Sequence, residues 1–399
     1  MGYTFTTADV AYLRSRQGMK ALEQTSLLEL SSGSMIGDIA DLRARYAPQD
    51  AALIETVRCR RRARGKLRNA DDLLLTDDAL QQSTNSVVAA HRAAEIAGRH
   101  RGAVVHDVTC STGAELAELA GRDGIGGVIG SDLDDVRLAM ARHNVPGVTL
   151  LRADALTPTS NADVVLADPA RRSGGSRVFR LEDLSPPLLD VLTVYAGRNL
   201  AVKCAPGLDY SMLRNRFGFE GEVQLTSLDG GVREAVLWSG PGIAPVRRAT
   251  VLRTGTAGAV TATEITDAAS DDVPVGEIGE WIVDPDGAIV RAGLVRHYAH
   301  RHGLGLLDPQ IAYLTGDSVP AGERGFRIIG QVGVAERALR KVLADHDCGS
   351  LEILVRGLDV DPDSLRKRLK LKGSRPLSLV LTRIGRKGTG FLCEPGVRF

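Results

Sequence analysis

The chain has 399 residues, enough for two or three hydrophobic cores, and its 50 Lys and Arg against 49 Asp and Glu leave a formal net charge of +1. So balanced a charge sets up no whole-molecule field toward nucleic acid, and an aromatic content of 4% argues against a surface built on base stacking. Five widely spaced cysteines (Cys59, Cys110, Cys204, Cys348, Cys393) form no close metal-binding pair, Thr4, Thr6, Thr7 and Asp9 replace the apolar core of a signal peptide, and no run approaches the roughly 18 apolar residues of a membrane span. A cytoplasmic protein with no metal and no membrane association is the expectation.

Residues 1–100 read as a helical region. Thr7 or Asp9 could cap the first helix, apolar residues recur at helical spacing through Leu22, Leu27, Leu28 and Leu30, and Pro48 suits a first turn. The helix after Pro48 ends in Arg58-Cys-Arg-Arg-Arg-Ala-Arg-Gly-Lys-Leu-Arg68, with seven cations and no acid. Such a run either touches phosphates or is a solvated helix end favoured by its own dipole. From Asp78 the pattern is a further helix, capped by Thr84 or Asn85 and carrying His91 as a packing residue.

Residues 101–245 alternate strands and helices as βαβ units do. Ala103-Val-Val-His-Asp107 is a strand, Val108-Thr-Cys-Ser-Thr-Gly113 a tight loop, and Glu115-Leu-Ala-Glu-Leu-Ala120 a helix. Gly127-Val-Ile-Gly-Ser131 then delivers Asp132 about 20 residues on, where a dinucleotide-type fold sets an acid against a ribose diol. Val148-Thr-Leu-Leu151 brings Asp154, Asp163-Val-Val-Leu-Ala167 ends at Asp168-Pro-Ala-Arg-Arg172, and Leu200-Ala-Val-Lys203 leads to Cys204. Ligands of open α/β sheets lie across the carboxyl ends of the strands. Four acids there repel a phosphate and suit a cationic ligand carrying a ribose, of which S-adenosylmethionine is an example. Glu222–Leu228 and Val232–Trp238 flank Asp229-Gly-Gly231, a hairpin signal.

Residues 246–272 are expected as a linker, because Gly, Ala, Thr and Asp dominate from Thr254 to Asp272; Ala249–Leu252 could still be a strand. Residues 273–399 mix the two periods and imply a small α+β domain: strands at Trp281–Val283, Phe326–Ile329, Leu351–Val355 and Leu377–Thr382, Ile289-Val290 after a turn at Asp284–Gly287, and helices at Leu294–His302, Ala335–Leu343 and Pro362–Leu369. Between Arg366 and Lys387 stand nine cations and no acid. Such a patch can neutralise several phosphates, and Arg366, Lys367, Arg368, Lys370 and Lys372 are its candidate nucleic-acid contacts.

Asp107-Val-Thr-Cys-Ser-Thr-Gly113, Val128-Ile-Gly-Ser-Asp132, Arg152-Ala-Asp154 and Ala167-Asp-Pro-Ala-Arg-Arg172 resemble motifs of class I S-adenosylmethionine-dependent methyltransferases. With Gln81–His91 and Trp281–Ala288, nearly the whole chain resembles bacterial methyltransferases that carry a C-terminal THUMP-like domain. The resemblance implies a Rossmann-like sheet, closed by the hairpin, behind an N-terminal helical region. It also implies S-adenosylmethionine bound by Asp107, Thr109, Ser111, Gly113, Asp132, Leu133, Asp154 and Ala155, closure of Gln81–Asn85 over its methionine end, and RNA as partner. Ser111 and Thr112 depart from the usual glycine-rich first loop.

Methyl transfer from a sulfonium needs mainly positioning. Methyltransferases acting on exocyclic base amines carry Asp or Asn, two prolines and an aromatic; this chain keeps Asp168 and Pro169 but has Ala170 and Arg171. Arg171 can stack on a base or clamp a phosphate through its guanidinium plane, or else pair with an acid of the pocket, and Arg171–Arg177 suggests a mobile loop over the acceptor. Cys204 is either a covalent nucleophile activated by Lys203 or a small buried hydrophobe. The expected activity is methylation of an RNA base; the alternatives are an RNA-binding protein that has lost catalysis, and a methyltransferase of a small molecule or protein.

Overall fold

A computed structural model describes residues 3–171 and 184–399. The chain divides into two compact units, Met1–Glu222 with Arg233–Pro245, and Val223–Val232 with Val246–Phe399.

The first unit begins with helices α1 (Thr7–Arg14), α2 (Arg16–Ser26), α3 (Met35–Tyr46), α4 (Asp50–Ala63), α5 (Asp77–Gln82) and α6 (Ser86–Arg99). The first cap is Thr6, whose hydroxyl accepts from the Asp9 N–H (3.2 Å) while Asp9 Oδ2 accepts from the Thr6 N–H (2.8 Å). Asp9 is thus the third helical residue of a capping box, and Thr7 the first. Pro48 precedes the N-cap Gln49 and lies in the α3–α4 connection, outside the first turn. Val10, Leu13, Leu22, Leu42, Leu53 and Val57 bury one apolar stripe per helix into a common core. Each fully buried leucine or valine contributes about 1.5–3 kcal/mol.

Then come β1 (Ala103–Asp107), α7 (Ala114–Leu119), β2 (Ile125–Asp132), α8 (Asp135–Asn144), β3 (Thr149–Arg152), β4 (Val164–Ala167), β5 (Ala170–Arg171), β6 (Leu184–Ser185), α9 (Leu188–Val194), β7 (Asn199–Cys204) and α10 (Tyr210–Phe217). Strands β8 (Glu222–Leu228) and β9 (Gly231–Ser239) follow, joined through Asp229 and Gly230 at φ 52° and 83°. That is the two-residue turn with positive φ at both positions that an Asp-Gly pair favours. In this unit the strand order is β9-β7-β4-β1-β2-β3, parallel except that β9 runs antiparallel to β7. Since β1 lies between β2 and β4, the connections leave it to opposite sides. A crevice therefore opens outside its carboxyl end. Val105, Val164, Leu166, Ala201 and Trp238 cover one face together with Ile96 of α6, and Leu116 and Leu138 pack with Cys110 and Val145 on the other.

In the second unit β8 pairs in parallel with β10 (Arg247–Thr254), which pairs antiparallel with β11 (Val260–Thr266). Residues 246–272, expected as a linker, therefore carry paired strands. Their Thr and Val residues suit a pleated surface, and Arg248 of β10 meets Glu264 of β11 at 2.8 Å. The rest is β12 (Trp281–Asp284), α11 (Gly287–Arg291), α12 (Val295–His302), β13 (Gly305–Asp308), β14 (Ile311–Gly316), β15 (Arg324–Gly333), α13 (Glu336–Asp345), β16 (Cys348–Arg356), α14 (Pro362–Leu369), β17 (Arg375–Ile384), β18 (Lys387–Cys393) and β19 (Val397–Arg398). Their sheet runs β13-β14-β12-β15-β18-β17-β16, with β19 on β15. Ile289 and Val290 belong to helix α11 because Asp286 caps it, accepting from the Ala288 N–H at 2.8 Å. Leu339, Leu343, Leu365 and Leu369 of α13 and α14 bury against Leu351, Leu377 and Leu379 of the sheet.

Candidate functional site

The loop after β1 is tied to the ends of three strands by its own polar groups. Asp107 is buried, and its Oδ1 accepts from the Thr109 N–H (3.0 Å) and hydroxyl (3.4 Å). The Thr109 hydroxyl oxygen in turn accepts from the Asp168 N–H at 2.7 Å, which staples the end of β4 to the loop. Ser111, at φ 49°, donates its N–H to Asp132 Oδ2 (3.0 Å), while Asp132 Oδ1 accepts from the Asp134 N–H (2.9 Å). Asp154 Oδ1 accepts from the Leu156 N–H at 2.9 Å. Gly113 is the N-cap of α7 at φ 85°, and a Cβ there would sit 3.0 Å from Val145 Cγ2, so the loop needs its one glycine here.

These residues surround a cavity of about 500 Å³, within the range of small-molecule sites. Asp107, Asp132, Asp154 and Asp168 all line it. So do Thr109, Ser111, Leu133 and Ala155, whereas Gly113 lies outside it and faces a smaller neighbouring cavity. Ala170 lines the first cavity and Pro169 an adjoining one. Arg171 is in β5, paired with Leu184 of β6; the rest of the expected loop, from Arg172, falls outside the described residues. Burial pushes the Asp107 carboxyl up to about 7, against the pull of the Thr109 N–H, with Glu115 and Asp168 raising it and Lys203 lowering it. The donor set suits S-adenosylmethionine: half-buried Asp132 and exposed Asp154 retain lone pairs for hydroxyls, and a cation relieves the crowding of like charges.

Sequence reasoning missed the charges behind Asp168. Lys203 of β7 donates to Asp168 Oδ2 and lies 3.5 Å from Glu115 of α7. Glu115 receives Arg92 of α6 at 2.6 and 2.7 Å, and Arg92 also bonds Glu234 of β9, which accepts from the Thr84 hydroxyl at 3.4 Å. Arg92, Glu115, Lys203 and Glu234 are all buried. Burial alone would lower the Lys203 pKa, but Asp168 and Glu115 outweigh it and hold the ammonium above its usual range. Burial likewise opposes the Glu115 charge, and Arg92 and Lys203 reverse this, keeping it below the ordinary carboxylate range. The signal was present as single ionisable residues inside apolar patterns, Lys203 in Leu-Ala-Val-Lys and Arg92 in Ala-Ala-His-Arg-Ala-Ala. With Lys203 committed to carboxylates, it does not activate Cys204. Burial, then Asp168 and Glu234, push that thiol up, away from the thiolate a nucleophile needs.

Asn85 is the N-cap of α6, accepting from the Val87 N–H at 2.9 Å. The joint it shares with Gln82, Ser83 and Thr84 lines a second cavity, of about 650 Å³, that also contains Asp168, Pro169, Lys203 and Cys204.

The two basic runs differ. Among residues 58–68, Arg60 donates to Leu73 O (2.8 Å), Arg61 to Ser26 O (3.0 Å) and Glu29 O (2.5 Å), and Lys66 to Leu80 O (2.6 Å). Arg58, Arg62, Arg64 and Arg68 pair with Glu55, Asp77, Asp71 and Glu118. In the second unit Arg366 is held by Leu351 O (2.8 Å) and Asp363, and Arg368 by Glu336 (3.1 Å) and Ser364. Lys367, Lys370 and Lys372 are exposed, and their side chains make no hydrogen bond or ion pair among the described residues. No helix among the described residues is long and apolar enough to cross a membrane.

Comparison with known proteins adds the following. Residues 323–395 match the THUMP domain-like family, and residues 6–63 match a domain of unknown function. An uncharacterized S-adenosylmethionine-dependent methyltransferase of Mycobacterium tuberculosis, found alike in strains CDC 1551 and H37Rv, is 51% identical over 375 residues, covering 89% of this chain and 99% of the relative. Among solved structures, a candidate methyltransferase from Porphyromonas gingivalis W83 superposes with a TM-score of 0.74 at 19% identity over 99% of both chains, a likeness of fold.

Proposed function

The chain belongs to the S-adenosylmethionine-dependent methyltransferases, and on that premise we propose that it methylates a base in RNA, with Asp168 holding the acceptor amine. The observation that carries this reading is Asp168 itself, a carboxylate at the wall common to the acid-lined cavity and the second one, with one oxygen fixed by a buried lysine. When bound, S-adenosylmethionine supplies a methyl group on a sulfonium, whose transfer is an in-line displacement governed by positioning. Asp107, Asp132 and Asp154, with Thr109, Ser111, Leu133 and Ala155, hold the donor; Gly113 shapes the loop behind it.

Lys203 keeps Asp168 Oδ2, so Oδ1 would accept from the amine N–H and orient the nitrogen toward the bound methyl donor. Pro169 restricts Asp168 to extended backbone and so fixes where that carboxylate points. Arg171 grips the base face or its phosphate. The THUMP-like region and the exposed Lys367, Lys370 and Lys372 support RNA as the acceptor. The test is nucleoside mass spectrometry of unmodified RNA incubated with the protein and cofactor. One methylated base is expected, absent with Asp168→Ala; methylated protein or small molecule in its place refutes the reading.

A further inference from the structure

The donor's cavity and the second cavity have five lining residues in common, Gln82, Ser83, Thr84, Asp168 and Lys203. The side chains of four are already engaged. Lys203 is held between Asp168 and Glu115, the Ser83 hydroxyl donates to Ala79 O at 2.6 Å, and the Thr84 hydroxyl donates to Glu234 Oε2 at 3.4 Å. Gln82 differs: it is exposed, and its side chain makes no hydrogen bond among the described residues. Its amide therefore brings two N–H donors and a carbonyl acceptor to the wall between the cavities. The backbone beneath it is braced. Gln82 is the last residue of α5, whose closing carbonyls accept from the Ser83 N–H (Ala79 O, 2.9 Å) and from Lys66 (Leu80 O, 2.6 Å; Gln81 O, 3.1 Å).

Asp168 supplies only half of what an acceptor base needs. A carboxylate accepts and does not donate, so Oδ1 satisfies the amine but leaves any ring nitrogen beside it with an unpaired lone pair once water is displaced. We propose that Gln82 is a specificity-determining residue, whose amide N–H donates to that ring nitrogen, so that Asp168 and Gln82 together select a base with an amine next to a ring lone pair. Adenine and cytosine carry that edge, and a side-chain amide is a fitting partner for it. Uracil has no amine, and guanine carries a ring N–H on the Watson–Crick side of its amine, where the Gln82 donor would meet another donor and leave both unpaired. The inference rests on the reading of Asp168 as the acceptor's anchor.

The probes are AMP, CMP, GMP and UMP, titrated calorimetrically into the full-length protein saturated with S-adenosylhomocysteine, which occupies the donor's place without transferring a methyl group. AMP or CMP is expected to bind about tenfold or more tighter than GMP and UMP. Gln82→Leu, and Gln82→Glu, which keeps the size but removes the donors at neutral pH, should abolish that preference, with S-adenosylhomocysteine affinity equal to wild type as the control for folding. Four affinities that do not differ, or a preference that persists in the variants, overturn the inference, and so does a loss of S-adenosylhomocysteine affinity, which assigns Gln82 to the donor. In a second arm, nucleoside mass spectrometry of RNA treated with the wild type upholds it with amine-methylated adenosine or cytidine and overturns it with amine-methylated guanosine. A preference lost in the variants, with no RNA methylation by the wild type, upholds the role of Gln82 and removes RNA as the acceptor.

Discussion

Residues 58–68 and 366–387 carry seven and nine cations without a single acid, yet they end in different circumstances. The first run follows α4 past the ends of neighbouring helices, where backbone carbonyls are left without partners. Arg61 takes the carbonyls that close α2, Lys66 those that close α5, and Arg62 the Asp77 carboxylate. The second run begins on α14 and the exposed connection that follows it, before the chain enters β17. Arg366, Arg368 and Arg383 find acceptors, and Lys367, Lys370 and Lys372 stay exposed. Charge density read from sequence gives the field but not its use: a cation within reach of unsatisfied carbonyls is consumed in holding the fold, and one without them remains for a ligand.

The comparison can be broken by substitution. The largest effect is expected at Arg92, where a cation is wholly buried between Glu115 and Glu234. Arg92→Met should cost about 3–5 kcal/mol by chemical denaturation, because two carboxylates are left uncompensated; a change within error would mean the network is not formed. Arg61→Met should cost less, about 1–2 kcal/mol, for hydrogen bonds lost at a half-buried site. Replacing Lys367, Lys370 and Lys372 together with Gln should leave stability unchanged and reduce the salt slope of RNA binding by about 2–3. A stability loss equal to that of Arg61→Met would erase the distinction between the runs.

The smallest effect concerns pH. Asp107 stays protonated up to about 7 in the free protein because it is buried, and a cationic ligand favours its carboxylate. Binding then expels a proton below that value, so cofactor affinity should fall about tenfold from about pH 8 to about pH 6, and Asp107→Asn should flatten the profile. A flat wild-type profile would show that the ligand's charge lies away from Asp107.

Much of the sheet was legible because three of its parallel strands are short apolar runs that end on or beside a carboxylate, at Asp107, Asp132 and Asp168. The buried network was not. Arg92 lies 23 residues from Glu115 and 142 from Glu234, and no local period relates positions so distant. Strand β10 was legible only in part, at Ala249–Leu252, and β11 hid in a polar stretch because most of it is exposed, which removes the alternation that marks a half-buried strand. The glycines of Lys387-Gly-Thr-Gly obscured β18 in the same way. In sequence only Lys203 stands beside Cys204, whereas Asp168 and Glu234, which push its thiol up, lie 36 and 30 residues away along the chain.

The most direct measurement is transfer of a radiolabelled methyl group from S-adenosylmethionine to unmodified RNA by the full-length protein, with Asp168→Ala beside it. The account predicts label in the RNA with wild type and a drop of about 10²-fold or more with the variant, cofactor affinity being equal in both. Cofactor binding without label in RNA, or equal labelling by the two proteins, would contradict it.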